Sequence, residues 1–240
     1  MKKLLLLSNS TNPGEEYLEW AKGYITDFLK ETSVKRILFI PYAGVTVNWD
    51  EYEAKVSLVF QELGYEIYSI HHFKDAEDAV LKAECIAVGG GNTFNLLYTM
   101  QLNELMHIIH KRVIKGLPYI GWSAGSNVVC PSIKTTNDMP IAEPESFHSL
   151  DLIPFQINPH YLDANPAGHG GETRQQRIDE YLKVNQEIYV SGLREGTLLQ
   201  VEGQKLFLKG RKPMRLFKYN TEPQEFNQGD DLDFLLESVV

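Results

Sequence analysis

The chain has 240 residues, 43% of them hydrophobic, and a formal net charge of −9. That length and apolar content suffice for a large buried core, and no linker-like stretch divides it, so one domain over 1–240 is expected. The acidic balance, without clusters of Lys and Arg, argues against a nucleic-acid or acidic-membrane partner.

Taken in chain order, the first element is the apolar run 4–7, which stops before Ser8. It is too short for a signal peptide or for the roughly 20 residues that span a bilayer, and it reads as a buried strand. Further β-type runs follow at 36–40, 66–70, 85–88, 119–122, 152–157 and 188–191. Between them, Leu18, Ala21, Ile25 and Phe28 recur at helical spacing. Two more helices, 49–63 and 103–115, each end at a glycine, Gly64 and Gly116, in the usual position just past a C-terminus. Strand and helix alternate, which predicts an α/β fold: a three-layer, doubly wound, mostly parallel central sheet with helices on both faces. After Gly192 the pattern changes to a hairpin, 197–201 and 205–208 about Gly203, then a short strand at 215–218. These are expected to extend the same sheet as an antiparallel edge. From Asn220 to the end the chain is an acidic tail, unpatterned until 232–239. Cys85 and Cys130 both lie in or beside apolar segments, which suggests packed thiols in a reducing compartment and hence a cytoplasmic protein.

Chemistry concentrates where predicted strands end, the place where open α/β sheets bind ligands. The run Ile120-Gly121-Trp122-Ser123-Ala124-Gly125 sets a serine between two glycines at a strand-to-helix junction, the form of a nucleophile elbow. Such a turn strains the serine backbone and needs small neighbours, while the next N–H, that of Ala124, points out at a helix start where it can hold an oxyanion. Gly89-Gly90-Gly91-Asn92-Thr93 follows another strand. It lacks the spacing of nucleotide-binding loops, so Gly91 is the candidate second oxyanion donor.

A serine needs a base. Of seven histidines, His160 in Asn158-Pro159-His160 is the candidate, because it follows a strand at the same sheet edge as Ser123. His107 and His110 on a helix, His71 and His72 after a strand, and His148 and His169 in loops offer no such placement. His107 and His110 have no carboxylate or cysteine spacing that would complete a metal signature, and no metal is expected. The acid that orients the imidazole is expected to be Asp138, with Glu195 as the competitor. The order Ser, Asp, His matches α/β-hydrolases, but the three positions are too compressed for that sheet, so another α/β fold is implied.

These residues, together with Leu4 to Thr11, Pro41 to Thr46, Trp49 to Tyr52, Val88 to Phe94, Thr135 to Pro140, Gln156 to His160 and Gly171 to Arg174, resemble peptidase E. That family comprises the α-aspartyl dipeptidases within the class I glutamine amidotransferase-like fold. The resemblance covers about residues 1 to 200 and implies a cofactor-independent serine peptidase that cleaves dipeptides with an N-terminal L-aspartate. It assigns Ser123 as nucleophile, His160 as base, Asp138 or Glu195 as third member, and Gly91 and Ala124 as oxyanion donors. It makes Arg174 the partner of the aspartate carboxylate, with Asn92 as a further substrate contact. Ser126 departs from the family's more common alanine. The partner is then a small peptide, and the assembly a monomer or homodimer. The alternatives are a cyanophycinase-like peptidase of the same superfamily and a non-catalytic binder of small anions.

Overall fold

The computed structural model describes residues 1–165, 168 and 170–237. Its centre is a seven-stranded sheet in the order β3-β2-β4-β5-β1-β8-β9. The strands are β1 (Lys3–Leu7), β2 (Arg36–Ile40), β3 (Glu66–Ser69), β4 (Ile86–Val88), β5 (Tyr119–Trp122), β8 (Thr197–Glu202) and β9 (Lys205–Gly210). The first five run parallel, and β8 joins β1 antiparallel, so the hairpin extends this sheet as expected.

Strand residues alternate between two cores, as the period of a pleated strand requires. Leu4, Leu6, Leu38, Ile40, Ile86 and Val88 face one core, and Leu5, Leu7, Ile37, Phe39, Ala87 and Trp122 face the other. Against the first pack α3 (Ala76–Lys82), α4 (Thr93–Leu102) and α5 (Leu105–Ile114). Against the second pack α1 (Lys22–Leu29) and α2 (Trp49–Glu62). The result is the three-layer α/β arrangement. The 103–115 prediction shortens to α5, because the Glu104 backbone is left-handed and separates it from α4.

The later strands depart from expectation. Here β6 (Gln156–Tyr161), β7 (Val190–Arg194), β10 (Met214–Phe217) and β11 (Gln224–Phe226) form a second sheet in the order β11-β10-β7-β6. It does not extend the first sheet. Its residues Ile157, Leu193, Met214 and Leu216, with Phe155 just before β6, complete the core on the α3-α4-α5 side, and α7 (Arg174–Val184) covers Tyr161, Val190 and Phe217. The tail is built in as well: β11 pairs with β10, and Leu232, Leu235 and Leu236 are buried. Residues 238–240 and His169 lie outside the described residues.

Among the described residues no helix is long and apolar enough to cross a membrane.

Candidate active site

The carboxyl ends of β1, β2, β4 and β5 open on a cavity of about 940 Å³ lined by Ser123, His160, Gly91, Asn92, Asp138 and Arg174. Ser123 ends β5 with φ 54° and ψ −111°, the strained backbone of an elbow. Its N–H is held by the Leu7 carbonyl at 3.0 Å, so the end of β1 fixes the turn. Ser126 helps: its buried Oγ lies 2.7 Å from the Leu7 carbonyl oxygen and 2.9 Å from that of Gly121. The elbow glycines exist for packing. A Cβ on Gly121 would sit 2.3 Å from the Gly125 oxygen, and one on Gly125 would sit 2.2 Å from the Val88 oxygen. The helix after the elbow, α6 (Ala124–Asn127), is a single turn. So short a helix adds little dipole, and what this turn offers to a negative charge is the Ala124 N–H itself.

His160 does not lie past a strand on the central sheet. It sits inside β6, in the second sheet, at a register shift between Pro159 and Tyr161 and with φ 53°. Such a bulge re-aims a side chain, and the imidazole crosses to the central sheet's rim, where Nε2 lies 2.9 Å from Ser123 Oγ. Ser8, fully buried after β1, secures the bulge: its Oγ accepts from the His160 N–H at 2.9 Å and donates to the Leu193 carbonyl at 2.7 Å.

The carboxylate at His160 is Glu195, whose Oε1 lies 2.7 Å from Nδ1. It follows β7, which runs parallel to β6. Asp138, the first expectation for this place, is bound elsewhere. Its Oδ2 accepts from the Thr93 N–H at 2.7 Å, from Thr93 Oγ1 at 2.6 Å and from Thr136 Oγ1 at 3.1 Å. Thr93 opens α4, so Asp138 anchors the start of that helix and with it the glycine loop. The Asp138 segment meets the histidine strand through other residues: Asn137 Nδ2 donates to the Pro159 carbonyl at 2.7 Å, Asn158 Nδ2 donates to the Thr135 carbonyl and to Asn137 Oδ1 at 2.8 Å each, and Thr135 Oγ1 donates to the Ile157 carbonyl at 2.8 Å.

Gly91 has φ 138°, and a Cβ there would lie 2.1 Å from the Ala43 oxygen. Among the described residues neither its N–H nor that of Ala124 has a hydrogen-bond acceptor, so both donors are available. Asn92 lines the cavity, but both ends of its amide are engaged. Oδ1 caps α4 on the Asn95 N–H at 3.0 Å, and Nδ2 donates to the Met139 carbonyl at 2.8 Å.

Arg174 begins α7 under a capping box made by Thr173 and Gln176. Its guanidinium forms no ion pair among the described residues. Burial, and next the nearby Arg177, pull it below its ordinary pKa, against an opposing attraction from Asp138. An unpaired, partly desolvated fork facing a cavity is a receptor for a carboxylate.

Sequence reasoning missed Ser8, Tyr52 and Lys55. Buried Tyr52 accepts from Trp122 Nε1 at 3.1 Å and donates to the Gly90 carbonyl at 3.0 Å, tying the elbow strand to the glycine loop. Lys55 lines the cavity with its ammonium 4.1 Å from the Tyr17 ring centroid. Each sits in an ordinary strand or helix context with no local signature.

The model of peptidase family S51 matches residues 4–209. Proteins named peptidase E are 53% identical in Nostoc sp., covering 98% of this chain and 97% of that one, and 48% identical in Salmonella paratyphi A, covering 95% and 98%. A solved putative peptidase E from Listeria monocytogenes shares the fold at TM-score 0.66 and 22% identity, covering 88% of this chain and all of that one. A peptidase from an acI-B1 Actinobacterium does so at 0.69 and 17%, covering 97% and 96%. The chain belongs to peptidase family S51 and is a peptidase.

Proposed function

We propose that this peptidase hydrolyses dipeptides with an N-terminal L-aspartate through a Ser123-His160-Glu195 acyl-enzyme mechanism. The observation that carries the reading is one cavity lined by Ser123, by His160 with Glu195 hydrogen-bonded behind it, and by the unpaired Arg174 guanidinium. When Nδ1–H donates to Glu195, Nε2 is left to accept the Ser123 proton. The hydroxyl attacks the aspartyl carbonyl, the N–H groups of Gly91 and Ala124 hold the oxyanion, and the imidazolium protonates the departing amino acid. Water, deprotonated by the same imidazole, then releases aspartate. Arg174 binds the aspartate side chain, and an apolar residue in its place would leave the guanidinium desolvated and unpaired.

No cofactor enters this scheme. The chain acts as one catalytic domain, as a monomer or homodimer. Its location is the cytoplasm, a reading supported by two buried free thiols, with Cys130 pushed by burial up to about 12. A non-catalytic anion binder would have no use for a base aligned on a strained serine.

The test compares Asp-Leu with Glu-Leu, Asn-Leu and the aspartyl-arginine polymer. Asp-Leu is expected to be strongly preferred, and preference for the polymer would favour the cyanophycinase-like alternative. Ser123→Ala is expected to abolish turnover with the thermal midpoint retained. Arg174→Ala should lose at least about tenfold in kcat/KM on Asp-Leu, because one charge-assisted hydrogen bond exceeds the roughly 1.4 kcal/mol of a decade. An equal loss on all dipeptides would assign Arg174 a structural role.

A further inference from the structure

Away from the triad, four metal-ligating side chains converge where α2 begins. Asp50 and Glu53 lie three apart in its first turns, on one helix face. His71 and His72 come from the 3-10 turn Ile70–His72 that follows β3. One ligand atom from each residue lies within 4.8 Å of all the others. We propose that Asp50, Glu53, His71 and His72 bind a divalent transition cation of the zinc class.

The distances suit it. His71 Nε2 is 2.9 Å from Asp50 Oδ1, and His72 Nε2 is 2.6 Å from Glu53 Oε2 and 3.7 Å from Asp50 Oδ1. A tetrahedral ion with ligands at about 2.0–2.1 Å sets them about 3.3 Å apart, a spacing these values bracket.

The groups around the cluster orient it as supporting groups orient metal ligands. His71 Nδ1 lies 2.6 Å from the Oγ of buried Ser69, which turns Nε2 toward the carboxylates. Glu53 Oε1 accepts from the Ser69 N–H at 2.8 Å, leaving Oε2 for the site. Two imidazoles with two carboxylates favour zinc or its neighbours over magnesium and calcium, which prefer oxygen alone. The two carboxylate charges neutralise the ion. The metal would take the Nε2 lone pair of each imidazole, whose proton then sits on Nδ1, as the Ser69 hydroxyl beside His71 Nδ1 allows, and it would clip the turn after β3 to α2. That helix also carries Tyr52, which supports the glycine loop. The cluster opens to solvent at Asp50 and His72 and is separate from the triad, and the inference does not depend on the proposed substrate.

Trp49 provides a reporter, its ring 5.8 Å from that of His71. Tag-free, chelator-treated protein titrated with zinc chloride by calorimetry is expected to take up one equivalent. Ser123→Ala should bind identically. His71→Ala/His72→Ala should weaken binding at least tenfold, and so should Asp50→Asn, an exposed single change that leaves the fold alone. Copper(II) should quench Trp49 fluorescence at the same stoichiometry, and Trp49→Phe should remove that quenching while retaining zinc. Absence of a one-to-one site, or a site of unchanged affinity in Asp50→Asn, overturns the proposal.

Discussion

At the scale of single residues, the two carboxylates nearest the chemistry have different work. Glu195 contacts the His160 imidazole, while Asp138 holds Thr93, the first residue of α4, through two hydrogen bonds and accepts a third from Thr136. Glu195→Gln removes the charge that stabilises the imidazolium, and kcat should fall by about 10²-fold or more with little change in KM. Asp138→Asn weakens charge-assisted bonds to Thr93, so it should destabilise the protein by about 1–3 kcal/mol. Its effect on kcat should be smaller and should leave the pH profile in place. Steady-state kinetics and urea denaturation of both variants decide the matter. A larger kcat loss in Asp138→Asn would reverse the assignment.

At the scale of elements, the elbow depends on how closely a one-turn helix can lie on two strands. Backbone meets backbone at Gly121 against Gly125 and at Gly125 against Val88, and carbonyl oxygens cannot move aside as a flexible side chain would. Gly125→Ala should therefore lift α6 from β4, destabilising the fold by about 1–3 kcal/mol, the usual range for overpacking. The same lift displaces the Ala124 N–H, so activity should fall further than stability. Thermal denaturation and the Asp-Leu assay on one preparation measure both, and full activity in a stable Gly125→Ala protein would contradict this packing account. The bulge in β6 is the other element-level device. It needs Ser8, just past β1, so His160 and Ser123 are aligned by the same β1 terminus.

At the scale of the whole molecule, the second sheet must be held in register with the loop that follows β6. Arg194, mostly buried on β7 beside Glu195, does this by pairing with Asp163 and with Glu225 of β11. Its hydrogen bonds are the largest influence on both carboxyls and hold Asp163 and Glu225 below the ordinary carboxylate range. A depressed carboxylate contributes stability that is fully present above its unfolded pKa and is lost as pH falls through the folded value. Arg194→Met should therefore have a lower thermal midpoint than wild type at pH 7, and the difference should narrow below about pH 4, where unfolded carboxylates protonate. Both carboxylates are substantially exposed, so solvent screening keeps the effect modest. A difference independent of pH would mean Arg194 acts through packing alone.

Much of this was legible in the sequence, because local signals report local physics. The four-leucine run, the alternation of strand and helix, the small residues around Ser123 and the glycines before Asn92 follow from burial and backbone sterics that neighbouring residues alone determine. Those signals gave the three-layer fold and the strained turn at Ser123. Other features depended on contacts between distant segments. The strands after Tyr119–Trp122 carry the same apolar pattern whichever sheet they join, so the second sheet could not be read from them. Asp138 and Glu195 look equally suited until β7 brings one to Nδ1 and α4 takes the other. Asp50, Glu53, His71 and His72 have no common spacing until β3 lays its turn on α2. Sequence determined which backbone shapes could form, and tertiary packing decided which charges meet, because electrostatic partnership depends on distance through space and not on separation along the chain.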